Sequence, residues 1–122
     1  MKKLFKIVLV CSLSLMCFSC YYDEFLEEAE VVIEDVSFAN DIQPIFTQNC
    51  ISCHNASRDP DLRVGNAFAA IVPDYVTPGN ADNSELFNKL PGNNHPNDVG
   101  FTLSSEEIAL VKAWIDRGAE NN

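Results

Sequence analysis

Residues 50–54 read Cys50-Ile51-Ser52-Cys53-His54, and no other stretch restricts the possible folds so strongly. Two cysteines spaced by two residues and followed at once by a histidine form the pentapeptide that fixes a haem to a chain through two thioether bonds, the histidine ligating the iron. The two-residue gap lets both sulfurs reach the vinyl groups of one porphyrin, and His54 is delivered to one face of the iron. A chain attached in this way must fold around its cofactor. The sixth iron position is narrowed by elimination, because the two methionines, Met1 and Met16, both lie in a stretch that reads as a cleaved export signal. His95 is the single histidine besides His54. The expected site is therefore one covalent haem c held by Cys50, Cys53 and His54, with His95 as the distal iron ligand.

The same residues admit other readings. A thioredoxin-like redox pair needs a βαβ context, for which this sequence has no pattern. A zinc site drawing on Cys50, Cys53, His54 and His95 suffers from the adjacency of Cys53 and His54, which makes tetrahedral closure awkward. A plain disulfide is available in an oxidising compartment. His95, in an asparagine-rich loop, has a bland alternative as a solvated surface residue.

Residues 1–19 carry Lys2, Lys3 and Lys6 ahead of an apolar run from Ile7 to Phe18, then Ser19. This is the layout of a secretory signal, and the run is too short to span a bilayer. A small residue directly before Cys20, downstream of Leu13, Leu15 and Met16, resembles a bacterial lipobox, with Cys20 as the lipidated first residue; Cys17 and Phe18 depart from the usual pattern, and plain cleavage near Ser19 is the alternative. The expected location is exported and lipid-anchored, on the periplasmic side or the outer membrane of a Gram-negative-type cell. With Cys20 assigned to lipid and Cys50 and Cys53 to haem, no thiol is left for a structural disulfide.

Loss of the signal removes three of eight basic residues and none of eighteen acidic ones, leaving five against eighteen and a formal charge of −13. Such a field argues against nucleic acid or an anionic membrane surface as a partner and steers a basic redox protein toward the domain.

Residues 20–36 are acidic and lack turn residues, and read as a tether; Val31, Val32 and Ile33 are able to dock on the folded unit. Residues 37–122 form the domain. Asn40 is expected to cap a helix over Asp41–Asn49, with Pro44 in its first turn, running straight into the Cys50–His54 motif. Asp82 and Glu85 have cap and N3 spacing ahead of a helix of about two turns stopped by Pro91-Gly92. Ser104 and Glu107 form a capping box, with Leu103 stapled to Ile108, for a helix whose Ile108, Val111, Trp114 and Ile115 share one face until Gly118. A weaker helical patch covers Ala67–Ile71. No alternating strand pattern is present, so the fold class is all-α.

The segments Phe38–His54, Thr77-Pro78-Gly79-Asn80, Ser84–Leu90, Leu103–Ile108 and Trp114–Ala119 resemble, in order and over the whole folded unit, the single-haem, planctomycete-type branch of class I cytochrome c domains. That resemblance implies three to four short helices around one haem, the terminal two packed across each other, and electron transfer as the default role. In many such domains a methionine in the loop before the last helix fills the sixth iron position; here that loop, Pro91–Phe101, carries His95 before Pro96. Two imidazoles imply a lower reduction potential than a methionine–histidine pair. The resemblance also makes Pro60, with Leu62, the candidate to hold the proximal imidazole through a carbonyl, while Phe46, Tyr75, Phe87, Phe101 and Trp114 are candidates for the pocket wall. The expected role is a membrane-tethered single-electron carrier, not an enzyme. Its rivals are a five-coordinate haem sensor or weak peroxidase with an open distal site, and an accessory module of an exported enzyme complex.

Overall fold

The computed structural model describes Met1, Lys3, Ile33 and residues 35–122. Of the expected export signal only Met1 and Lys3 are described, and of the expected tether only Ile33, Asp35 and Val36; Cys20 lies outside the described residues. The chain divides into two compact units, Met1–Glu30 and Val31–Asn122; the second holds nearly everything described. No helix among the described residues is long and apolar enough to cross a membrane.

The described part is all-α. A wide turn over Phe38–Ile42 leads directly into α1 (Gln43–Asn49), followed by α2 (Ala67–Ile71), α3 (Glu85–Asn88) and α4 (Ser105–Asp116). No strand occurs among the described residues.

The first helical segment starts earlier than its sequence suggests. Ser37, not Asn40, is the cap: its hydroxyl accepts the Asn40 amide at 3.2 Å, and the Asp41 carboxylate accepts the Ser37 amide at 2.8 Å. Within the turn, Ile42 and Gln43 donate to carbonyls five residues back, on Ser37 and Phe38. Pro44, which has no amide and whose ring would press on the carbonyl four residues back, lies at the join between this wider winding and α1, where both demands are relaxed. The remaining free amides of the segment are met from the far end of the chain. Asn122 accepts Ala39 N–H through its carbonyl at 2.9 Å and Phe38 N–H through its side chain at 2.7 Å. Two helix-end donors that would otherwise lack partners are thereby satisfied.

The segment Phe38–Ile42 packs against α4. The contact is aromatic: Phe38 meets Trp114 at a ring-centroid distance of 5.2 Å and Phe68 of α2 edge-on at 5.3 Å. Trp114 is buried and donates its indole N–H to the Glu120 carbonyl, so its polar atom costs nothing. Ile42, Ile45, Phe46, Ile71, Val111 and Ile115 complete the centre of the core. Packing extends ahead of residue 37, since Val36 is buried and Ile33 rests on the core.

α4 matches expectation at both ends. Ser104 and Glu107 make the reciprocal capping box, Leu103 is buried before it, and Ile108 is partly buried against the core. At the C-terminus Ala119 N–H returns to Trp114 and Gly118 N–H to Ile115, and Gly118 sits at φ +110°, the paired closure that favours glycine.

α3 is shorter than expected, a single turn with Ser84 as its flanking residue instead of Asp82. Ser84 is fully buried, and its hydroxyl accepts Thr77 N–H at 2.9 Å and donates to the Asn80 carbonyl at 2.8 Å. The hydroxyl holds the 77–84 loop together and is not spent on the helix end. Asp116 ties the same loop to α4 by accepting Ala81 N–H at 2.8 Å.

Candidate functional site

α1 delivers the Cys50–His54 segment as a tight turn. Cys53 and His54 both donate backbone N–H to the Cys50 carbonyl, at 3.1 and 2.8 Å. Asn49, the last residue of α1, donates its side-chain amide to Glu107 at 3.0 Å. The motif is thus moored to the cap of α4. Leu62 N–H then returns to the His54 carbonyl at 3.1 Å, folding the 55–62 loop back beneath the turn. Gln43, buried in α1, fixes that loop by donating to the Leu62 carbonyl at 3.0 Å.

Cys50, Cys53, His54 and His95 line one cleft of about 530 Å³, within the range of about 300–1,000 Å³ for ligand and cofactor pockets. Its walls are mostly apolar, with Phe46, Leu62, Leu86, Leu90 and Pro91 among them. Both cysteines carry free thiols; Cys53 is exposed and Cys50 half-buried. Burial, then the nearby Glu107 carboxylate, pushes the Cys50 thiol up to about 11.

The two imidazoles, 41 positions apart in the sequence, both line this cleft, with ring centroids 6.3 Å apart and planes at 87°. Two metal–nitrogen bonds of about 2.0–2.1 Å, with a ring centre roughly an ångström beyond each nitrogen, put two opposed imidazoles that share one ion about 6 Å apart. The rings have the spacing of an axial pair.

Each ring has a distinctive second contact. His95 Nδ1 lies 2.8 Å from the Asn97 carbonyl oxygen, a contact that requires the proton on Nδ1 and leaves Nε2 with its lone pair. The Asn97 amide also approaches Nδ1, at 3.3 Å; that longer contact needs the opposite tautomer, and the shorter carbonyl contact prevails. Metal-bound histidines commonly fix their free ring N–H on a backbone carbonyl in this manner. His54 Nδ1 is buried without a hydrogen-bond partner among the described residues. The expectation that a Pro60 carbonyl receives the His54 ring is therefore corrected. Pro60 lines the cleft, and what ties its loop to His54 is the backbone bond from Leu62.

Of the aromatic candidates, Phe46, Tyr75 and Phe101 line the cleft, whereas Phe87 and Trp114 pack on or within the core. The rim adds groups that sequence reasoning missed. Tyr75 donates its hydroxyl to Asp59, and that bond, with desolvation, raises the phenol above its ordinary value. Lys89 pairs with Glu85 along α3, and Arg58 lies beside them on the cleft lining. No spacing links Asp59 to Tyr75; only the folded 55–76 segment brings them together.

A largely apolar cleft with two free thiols on its wall and two imidazoles 6.3 Å apart has the donor set for a flat, covalently attached metal macrocycle. Compared with protein-family models, curated proteins and solved structures, the chain matches none.

Proposed function

We propose that the domain is a c-type cytochrome of class I-like architecture that carries single electrons, with one haem c attached through Cys50 and Cys53 and ligated by His54 and His95. The observation that carries this reading is the pair of imidazoles, ring centroids 6.3 Å apart, in one cleft lined also by both thiols. The packing of the Phe38–Ile42 segment against α4 also supports the class I arrangement. When bound, the haem supplies a reversible one-electron change at iron.

The chain's own residues do the rest. Cys50 and Cys53 hold the cofactor against loss, which suits an exported protein unable to recapture it. Asn97 keeps the His95 proton on Nδ1 and so keeps Nε2 a ligand in both oxidation states. A haem held by both His54 and His95 would need little rearrangement to gain or lose an electron. Phe46, Leu86 and Leu90 exclude water from one side of the cleft, while exposed Ser52 and Cys53 mark the side open to a partner. Within this reading the domain sits on an exported lipoprotein, residues 1–19 being the signal, Cys20 the lipid anchor and residues 20–36 the tether. The acidic surface favours a basic redox partner.

Expression in a host that matures c-type haems tests attachment directly. The peptide containing residues 50–54 is expected to gain one haem mass that survives denaturation, and replacing both Cys50 and Cys53 with alanine is expected to abolish it. An unmodified peptide in the wild-type chain overturns the proposal.

A further inference from the structure

The loop that presents His95 is built differently from every other wall of the cleft. Residues 92–102 surround a second hollow of about 600 Å³ lined by that loop alone, so His95 stands in a partition with open space on both sides. Among the described residues, every hydrogen bond made by 94–102 stays within 93–102: His95 with Asn97, Gly100 N–H to Asp98, and Asn94 to Asn93. The loop is closed only at its neck. There Leu103 N–H reaches the Pro91 carbonyl at 3.4 Å, Asn93 N–H reaches Leu90 at 2.8 Å, and Gly92 at φ +91° lies so close to Thr102 that an added Cβ would meet its Cγ2 at 2.8 Å. A segment with few outward bonds and no packed interior belongs to the least stable part of a fold, the part that opens first.

His54 stands in the opposite condition. It lies in a turn bonded twice to Cys50, is backed by Leu62, and is moored through Asn49 to α4. The two axial histidines thus have unequal holds.

We propose that the 92–102 loop is a hinged strap and that the distal position is an exchange site for a small neutral diatomic ligand, which enters when His95 swings away with its loop. This rests on the axial pairing proposed above. In the exchange one iron–nitrogen bond breaks and one iron–ligand bond forms. No electron is transferred, and the imidazole leaves neutral with its Nδ1 proton still on the Asn97 carbonyl. Asn97 lines both the hollow and the cleft and supplies a polar group beside His95.

Carbon monoxide is the probe, mixed by stopped flow with the reduced, haem-loaded chain of the wild type, His95→Ala and Gly92→Ala. In the wild type the binding rate is expected to climb with carbon monoxide and then level off at the rate of strap opening. In His95→Ala it is expected to stay linear and far faster. Gly92→Ala, which forces a side chain into the left-handed region and against Thr102, is expected to raise the plateau about tenfold. A wild type that refuses carbon monoxide while His95→Ala takes it overturns the strap and leaves the axial pair standing. Equal, linear rates in wild type and His95→Ala remove His95 from the iron, and with it the reading beneath. A plateau unmoved by Gly92→Ala also overturns the strap. Should that variant fail to fold, hydrogen exchange on the wild type decides: carbon monoxide is expected to speed exchange in 92–102 alone, and an unchanged pattern there refutes the proposal.

Discussion

At the scale of single residues, the proposed chemistry turns on His95. An imidazole with its Nδ1 proton fixed on a carbonyl is a stronger donor than a thioether and favours the ferric iron. Replacing His95 with methionine should therefore raise the reduction potential of the haem-loaded chain, read by redox titration; an unchanged potential contradicts distal ligation. His95 stands out in the sequence because both methionines lie within the first 19 residues and histidine occurs only twice. Its partner Asn97 does not, since a ring-to-backbone contact depends on the loop's path. The Pro60 expectation failed for a related reason: the 55–62 loop does return under His54, but it bonds through the Leu62 amide to the His54 backbone, leaving the ring nitrogen without a partner. The Tyr75–Asp59 bond, joining positions 16 apart with no periodic relation, left no trace in the sequence.

Among the elements, α4 contributes most to stability because it closes the core and anchors the Cys50–His54 turn. Ser104→Ala removes the cap and should cost about 1 kcal/mol in denaturant unfolding. Glu107→Ala should cost more, since Glu107 accepts the Ser104 amide and also holds Asn49 beside the attachment motif. The Ser104 backbone bond, followed by the Ser104 hydroxyl and Asn49, holds the Glu107 carboxyl below its ordinary value. A carboxyl depressed in this way contributes fully above the ordinary glutamate value of about 4.3 and loses its contribution as pH falls through the folded value. Acidification from neutrality should therefore lower the melting temperature of the wild type more than that of Glu107→Gln. Asp116, depressed by Lys112 and the Ala81 amide, keeps part of the acid sensitivity in both. A pH profile identical in the two chains would refute this role for Glu107. The α4 caps were readable because both partners lie within three residues or one turn. The start of the first segment was not, because its amides are met by Asn122, 84 and 83 positions away. Nor was the shortness of α3, whose Ser84 hydroxyl serves a loop.

On the scale of the whole molecule, a domain of about 90 residues with four short helices buries little apolar surface of its own. Phe46, Leu62, Leu86 and Leu90 belong to or pack against the core and also line the cleft, so one side of the core borders it. Covalent haem is expected to supply the missing contacts, so the haem-loaded chain should melt cooperatively and at a much higher temperature than the cofactor-free chain in calorimetry. A cofactor-free domain that melts equally high and equally sharply contradicts that dependence. The all-α class and the convergence of Cys50, Cys53, His54 and His95 were legible from one pentapeptide and a count of possible ligands. The cleft's rim was not, because it is assembled from segments that meet only after folding. The central claim is the axial pair, and electron paramagnetic resonance of the oxidised haem-loaded chain, with its absorption spectrum in both oxidation states, tests it most directly. The account predicts a low-spin, bis-imidazole iron in each state that becomes high-spin when reduced His95→Ala is compared. A high-spin wild-type iron would contradict it.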